Sequence, residues 1–193
     1  MNKPPQTTNT ENHTATPARR RKYLWKQVRE WAASFLIALF LALFLTQVVL
    51  LNAKVPSPSM VPTISPQDQL LGLRTAYWFS DPQRGDVIIF YYPDNEEELY
   101  VKRIIGMPGD LVDIRDGKVY INGSQTPLNE PYLAEKPHGD FGPYKVPSGS
   151  YFVMGDNRNR SWDSRYWQNT YVYREKILGK AWLRILPSLA FIQ

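Results

Sequence analysis

The stretch "DVIIFYYPDNEEELYVKRIIG", residues 86–106, predicts a β-hairpin inside a sheet. Its two arms, 86–92 and 99–106, are rich in β-branched and aromatic residues, which fit a pleated and buried surface. The polar segment "PDNEEE" between them has the composition of a connecting turn. Lys102 and Arg103 are neighbours in the second arm, so their side chains point to opposite faces of the strand. If one face is core, one of these two cations points inward.

Similar patterns continue along the C-terminal part of the chain. Further strands are predicted for "KVYI" between the turn dipeptides Asp116-Gly117 and Asn122-Gly123, for "GSYFVMGD" (149–156), and for "ILGKAWLRILP" (177–187), the expected last strand. Residues 128–147 lack periodicity and are expected to form an extended loop. No long amphipathic helix is indicated after residue 51. The region 52–193 is therefore predicted to be one mostly β domain.

An uncharged run, "WAASFLIALFLALFLTQVVLL" at residues 31–51, precedes this domain. As a helix it is about 30 Å long, which matches the hydrocarbon thickness of a bilayer. A cleavable signal peptide is one alternative, but its apolar region would be shorter and its basic head much shorter. A buried core helix is another, but such a helix would normally carry a polar face. The run is therefore predicted to be a single transmembrane helix.

The charge distribution gives this helix a direction. Residues 1–30 hold seven basic and two acidic side chains, which accounts for the whole net charge of +5. A basic cluster can bind nucleic acid, but this one adjoins the apolar run, so no nucleic-acid partner is expected. Basic residues beside a span remain on the cytoplasmic side. Residues 1–30 are thus predicted to be a disordered, basic cytoplasmic tail, with 52–193 on the outer, periplasmic or lumenal, side.

A stiff loop, "AKVPSPSMVPT" at residues 53–63, connects the helix and the domain. Its three prolines exclude a regular helix and argue against a central strand, because proline fixes φ and lacks an N–H donor. Taken alone, the segment is more typical of a proline-stiffened linker between the helix and the domain. A rigid turn can also present a reactive side chain, and Ser57 and Ser59 lie between these prolines.

The composition limits the chemistry that such a serine could perform. The chain has no cysteine and two histidines, so a thiolate or histidine-rich metal site is excluded. His13 is predicted to lie across the membrane from Ser59, and His138 is in the extended loop, which disfavours a Ser-His-Asp triad. A lysine can act as the base when burial keeps it neutral. Lys102 is the best-placed candidate, although a lone strand lysine is more often exposed to solvent.

Four segments of the chain resemble, in order, the four sequence boxes of the type I signal peptidases. They are "PSPSMVPTI" (56–64), "RGDVIIF" (84–90), "YVKRIIGMPGD" (100–110) and "GDNRNRSWDSRYW" (155–167). The preceding membrane anchor is similar too. One such box is only modestly specific, but four in sequence behind an anchor are highly specific. The resemblance implies a mostly β, signal-peptidase-like catalytic domain with one N-terminal transmembrane helix.

The resemblance also implies roles for individual residues. Ser59 would be the nucleophile and Lys102 the general base. The supporting roles would be oxyanion stabilisation by Ser57 with the Ser59 N–H, orientation of the lysine by Ser161, and an ion pair behind the site between Asp163 and Arg165. No metal and no organic cofactor is implied. The implied activity is that of a membrane-anchored serine endopeptidase that cleaves exported preproteins after a small-residue, A-x-A-like site.

The chain departs from the family pattern in three respects. Pro58 stands where many members carry glycine, and Asn159 and Arg160 stand where acidic and amide residues are common. The segment between the third and fourth boxes is short, so the large additional β-domain of some members is expected to be absent or reduced.

Two other interpretations remain to be weighed against this one. The self-cleaving stress-response repressors also use a Ser–Lys pair, but they need a DNA-binding domain, for which the sequence has no candidate. A non-enzymatic single-pass protein with an outer β-domain is the second. It would leave Ser59, Lys102 and the fourth box without a joint explanation.

Overall fold

The computed structural model describes residues 17–192, which divide into two compact units, one up to residue 43 and one from residue 44 onward. The described part of the first unit is helical and belongs to α1, which spans Pro17–Phe44. A π-helical turn over Leu45–Val49 follows, and the backbone becomes extended at Leu50.

The helix begins earlier than the apolar run suggested. Residues 17–30, expected to belong to the disordered tail, are helical, and the remainder of that tail, residues 1–16, lies outside the described residues. Arg, Lys, Gln and Leu are good helix formers, and extending an existing helix costs far less than nucleating a new one. At the other end, Leu50 and Leu51 belong to the first strand instead of the predicted span 31–51.

One helix in the described part of the chain is long and apolar enough to cross a membrane. The candidate span is Leu24–Val49, with a mean hydropathy of 2.4 over its most apolar window. None of that window is buried, whereas the core helix of a soluble protein would be mostly buried. The alternative of a buried core helix therefore does not fit the structure.

Strands dominate the second unit. In chain order they are β1 (Leu50–Lys54), β2 (Gln69–Leu73), β3 (Val87–Tyr92), β4 (Asn95–Gly106), β5 (Leu111–Arg115), β6 (Lys118–Ile121), β7 (Phe141–Lys145), β8 (Ser150–Met154), β9 (Val172–Tyr173), β10 (Ile177–Leu186) and β11 (Ala190–Phe191). The prediction of a mostly β fold behind one apolar helix is confirmed.

The strands form two antiparallel sheets. The larger one has the order β1-β2-β10-β3-β4-β8-β9, with β11 paired to β10, and the smaller one has the order β6-β5-β7. The predicted hairpin β3–β4 lies at the centre of the larger sheet, with Ile88 opposite Lys102.

Three details of the strand prediction were wrong. β4 begins at Asn95, because most of the polar connection between the two arms of the hairpin continues the strand. β7 lies within the predicted loop 128–147 and pairs with β5. The short β11 follows β10, which was expected to be the last strand.

Both faces of β3 and of the C-terminal half of β4 are covered, which explains the apolar runs in these two segments. Val87 and Ile89 pack into one core cluster and Ile88 and Phe90 into another. The expectation that only one of the two adjacent cations on β4 points inward was therefore wrong. Lys102 and its neighbour are 3% and 2% exposed, so both cations are buried, on opposite faces. One of them faces the candidate site.

Candidate active site

Ser59 is held in the proline-rich connection between β1 and β2. The next residue, Met60, is completely buried in a core cluster and fixes the loop against the domain. On the other side, the Asn157 N–H donates a hydrogen bond to the Ser59 carbonyl (3.0 Å), and the Asn157 side-chain amide donates to the Pro58 carbonyl (3.1 Å). The loop is thus fastened at both sides of the serine, which limits the positions available to its hydroxyl.

The Lys102 amine lies against this hydroxyl. The distance from Lys102 Nζ to Ser59 Oγ is 2.5 Å, although the residues are 43 positions apart in the chain. Both side chains are buried, and Ser57 Oγ lies 3.1 Å from Ser59 Oγ. The structure therefore brings together the three residues that the sequence suggested as nucleophile, base and oxyanion donor.

Burial lowers the pKa of Lys102 from its ordinary value of 10.5 to about 8. The main cause is desolvation, since a buried ammonium loses its hydration and the neutral amine is favoured. The carboxylates of Asp163 and Asp156 act in the opposite direction, and the Arg165 guanidinium lowers the pKa further. A substantial fraction of the amine is therefore neutral at mildly alkaline pH, as a general base requires.

Ser161 is buried behind this pair. Its Oγ has no hydrogen-bond partner among the described residues, so the structure does not contain the expected bond to Lys102. Gly155 packs against the same group, because a Cβ at this glycine would collide with Ser161 Oγ and with the Ser59 carbonyl oxygen. Glycine is therefore required at 155 for Ser59 and Ser161 to approach each other.

Asp163 and Arg165 form the ion pair that the sequence suggested. Arg165 donates to both Asp163 carboxylate oxygens, at 2.8 and 3.0 Å, and the two side chains are 2% and 0% exposed. Asp163 also accepts the Gly155 N–H (3.0 Å), and Arg165 also donates to the Arg158 carbonyl (2.7 Å). The pair therefore fixes the backbone that packs against the serine.

A second buried ion pair was not suggested by the sequence reading. Arg103 donates to both carboxylate oxygens of Asp156, at 2.8 and 2.7 Å, and to the Gly85 carbonyl at 2.7 Å. The Thr63 hydroxyl donates a hydrogen bond to the same carboxylate at 2.5 Å. The only available signal was the position of Arg103 next to the candidate base, on the opposite face of a buried strand.

A third buried cluster connects residues of the predicted loop to the fourth box. Arg158, 1% exposed, forms an ion pair with Glu130 and donates to the Gly155 carbonyl at 3.1 Å. Tyr132 donates its hydroxyl to Glu130 at 2.7 Å. No local pattern marks Glu130 as buried, so sequence reasoning missed this contact.

A cavity of about 470 Å³ opens beside Ser59 and Lys102. One wall is formed by residues 54–57 and the other by residues 98–101, with Trp162 and Arg160 at the fourth box. The stretch just before Lys102 therefore lines the cavity, whereas residues 84–90, the second of the four boxes, do not.

Other residues singled out in the sequence lie away from this chemistry. His138 is exposed, which does not suit a catalytic base, and its backbone N–H donates to Asn159 Oδ1 (3.0 Å). His13 lies outside the described residues. The Asn159 side-chain amide donates a hydrogen bond to Glu135 Oε1 (3.0 Å), in the predicted loop 128–147. This departure from the family pattern therefore has a structural role here.

Comparisons with known proteins agree with the resemblance. The family described as "Signal peptidase, peptidase S26" matches residues 28–186. A probable signal peptidase I-2 from Synechocystis sp. is 40% identical over 163 residues, which is 82% of this chain and 73% of that protein. A signal peptidase I from Bacillus licheniformis is 42% identical over 146 residues, 70% of this chain and 77% of that protein.

A solved structure is also similar. The crystal structure of a signal peptidase I from Enterococcus faecalis V583 has a TM-score of 0.46 and 39% identity, and the match covers 52% of this chain and 97% of that one. From the family match and the identities to full relatives, we conclude that the chain belongs to the type I signal peptidase family and is a peptide hydrolase.

Proposed function

We propose that this protein removes signal peptides from exported preproteins by a Ser59–Lys102 dyad. The observation that carries the proposal is the 2.5 Å contact between a serine hydroxyl and a buried amine whose pKa is lowered to about 8. A hydroxyl attacks a peptide carbonyl poorly until a positioned base accepts its proton. The family of the chain and the adjoining cavity both suit a peptide substrate.

The first half of the reaction acylates the enzyme. Neutral Lys102 accepts the Ser59 proton while Ser59 Oγ forms a bond to the carbonyl carbon of the scissile peptide. The resulting ammonium gives its proton to the leaving nitrogen, the C–N bond breaks, and the mature protein departs as a free amine. The signal peptide remains bound to Ser59 as an ester.

The second half regenerates the enzyme. Neutral Lys102 accepts a proton from water, and the oxygen of that water bonds to the ester carbon. The C–O bond to Ser59 then breaks, its oxygen recovers the proton from Lys102, and the signal peptide leaves with a new carboxyl group. The same amine thus acts as base and acid in both halves, without a change in the protein's net protonation.

Ser57 is proposed to stabilise the negative oxygen of the tetrahedral intermediate. Its Oγ is 3.1 Å from Ser59 Oγ, so an oxygen on the attacked carbon would be formed close to it. The Ser59 backbone N–H would be the second donor. Preorganised donors of this kind are worth about 3–4 kcal/mol of barrier each.

Ser161, Asp163 and Arg165 are proposed to position the base. The ion pair fixes the backbone around Gly155, and this glycine allows Ser161 to pack closely behind the dyad. The unsatisfied Ser161 hydroxyl is then available to the Lys102 ammonium that forms during each half-reaction. A buried hydroxyl without a partner is costly, which favours a functional reason for its retention.

The cavity suits an extended substrate. β4 pairs with β8 only at its C-terminal end, from Arg103 onward, so one edge of residues 95–101 has no strand partner in the described structure. β1 is the outer strand of the larger sheet, and the chain that follows it forms the opposite wall. A peptide added between these walls would gain main-chain hydrogen bonds, and small pockets would select alanine-sized side chains.

The charge distribution and the candidate span support a location for the site. Basic residues precede the span and are expected to remain in the cytoplasm, which would place the site on the outer side of the bilayer. Signal peptides have an apolar region, which enters the bilayer, followed by the cleavage site. An anchored peptidase on the outer side would therefore meet its substrate at the surface where the cleavage site emerges.

Removing either member of the dyad should abolish processing. We expect Ser59→Ala and Lys102→Met to lower kcat/KM by about 10⁴-fold or more, because residues that act as one catalytic unit lose most of the rate individually. The measurement is cleavage of a preprotein by the purified full chain, with N-terminal sequencing of the product. Processing at the wild-type rate by either variant would contradict the proposed Ser59–Lys102 dyad.

Folding provides the control for this experiment. Lys102→Met removes a buried ionisable group and is expected to be at least as stable to denaturant as the wild type at neutral pH. Labelling by a serine-reactive penem should occur in the wild type and fail in Ser59→Ala. A β-domain that served only for binding would not be acylated at all.

The rate should follow the protonation of Lys102. Below the lowered pKa the amine is mostly an ammonium and cannot accept a proton, so kcat/KM should rise about tenfold per pH unit and level off above pH 8 or so. The measurement is a pH profile of processing with a fixed preprotein. A value of kcat/KM that stays constant between about pH 6 and about pH 9 would contradict a lysine base.

Ser57→Ala and Ser161→Ala should fail in different ways. Loss of the Ser57 donor is expected to lower kcat by about 10²–10³ at every pH, with little change in the midpoint of the profile. Loss of Ser161 is expected to move that midpoint as well, and Ser161→Thr should restore it. Identical pH midpoints for wild type and Ser161→Ala would remove Ser161 from its proposed role.

A further inference from the structure

A second cavity, of about 370 Å³, lies in the C-terminal unit and shares no lining residue with the first. Its polar lining comes from two arginines, Arg74 and Arg174, and its apolar lining includes Trp78 and Val48. The volume is within the range of small-molecule sites in proteins. The reaction proposed above makes no use of it.

The positive charge of this cavity is compensated only in part. The residues that line it include no carboxylate. Arg74 donates to the Leu50 carbonyl at 3.3 Å and forms no ion pair among residues 17–192. Arg174 lies 3.5 Å from Asp81, but this aspartate is 85% exposed, so solvent screens the pair. Two arginines that line one cavity suit a phosphate or another strong oxyanion.

Both arginines are fixed to one short turn of the chain. Arg74 begins the 3₁₀ turn Arg74–Tyr77, and Arg174 donates to the carbonyl of Tyr77 at the end of that turn (2.7 Å). The guanidinium of Arg174 also stacks over the Tyr77 ring, 5.6 Å from its centroid. The site is therefore preorganised, which lowers the entropic cost of binding an anion.

The residues in and beside the cavity indicate the source of such an anion. Val48, which lines it, is the penultimate residue of the candidate membrane span Leu24–Val49. Next to the cavity, Trp78 is 55% exposed and Phe79 is 97% exposed. Exposed tryptophan and phenylalanine beside the end of a span are typical of the region where headgroups meet acyl chains.

The geometry points to a binding site for the headgroup of an anionic phospholipid between Arg74 and Arg174. The phosphodiester contacts the two guanidinium groups, and the acyl chains extend past Phe79 into the bilayer. A zwitterionic lipid binds less well, because its cationic group would lie close to two guanidiniums. The site attaches the catalytic domain to the bilayer and takes no part in the reaction at Ser59. The lipid proposal can therefore fail without affecting the Ser59–Lys102 proposal, and the reverse is also true.

The test is native mass spectrometry of the full chain from detergent micelles that contain phosphatidylglycerol. The wild type is expected to retain one lipid, and Arg74→Gln and Arg174→Gln should each weaken retention about tenfold. Arg115→Gln is the matched control. It removes the same charge from an exposed, ion-paired arginine of the smaller sheet and should retain lipid like the wild type. Arg74→Lys should retain an intermediate amount.

Two further arms identify the source of the phosphate. Neither phosphatidylcholine nor inorganic phosphate at the same concentration should displace the bound phosphatidylglycerol. Displacement by inorganic phosphate would overturn the assignment to a lipid, and equal retention by the wild type and Arg74→Gln would overturn the site. Arg74→Gln should cleave a short soluble peptide in micelles at the wild-type rate, which shows that a loss of lipid is not a loss of fold.

Discussion

The burial of one amine is the constraint on which the site depends. A lysine inside a protein is either paired with a carboxylate, which keeps it charged, or desolvated, which favours its neutral form. Lys102 is on a strand covered on both faces, and the atom nearest to its Nζ in the hydrogen-bond pattern is a serine hydroxyl at 2.5 Å. The fold therefore places an amine where its charge is disfavoured and a nucleophile where its proton can be accepted.

The surrounding charges are arranged so that they do not reverse this effect. Asp163 and Asp156 are both close enough to raise the pKa of Lys102, and each is already bound to a guanidinium, of Arg165 and Arg103 respectively. A free carboxylate in either place would hold the lysine as an ammonium. These ion pairs also hold the catalytic loops against the core. Removal of one partner of a buried ion pair lowers the free energy of unfolding by about 3–5 kcal/mol.

Local sequence patterns were sufficient for part of this architecture. β3, the C-terminal part of β4, β6, β8 and β10 follow from β-branched runs and turn dipeptides, which act over a few residues. The first two residues of β1, Leu50 and Leu51, were assigned to the membrane span, since apolar composition does not distinguish the end of a helix from a strand. β7 contains Gly142 and Pro143, which argue against a strand, and only its pairing with β5 overrides them.

The site divides in the same way. Spacing alone could not join Ser59 to Lys102, and the resemblance to a family supplied that pairing. The pairs Arg103–Asp156 and Arg158–Glu130 escaped notice because a buried charge becomes recognisable only when its partner is known. The same limit applied to the arginines of the second cavity, which are 100 positions apart and meet only through the turn at residues 74–77.

Direct titration of Lys102 tests the central claim. The full chain would be labelled with carbon-13 at the lysine side chains, followed by NMR in detergent micelles as the pH is raised, with the Lys102 signal assigned by its loss in Lys102→Met. The account predicts a midpoint at about 8, well below the ordinary value of 10.5. A midpoint at or above that ordinary value would show that the amine is charged when the serine must lose its proton, and would contradict the mechanism.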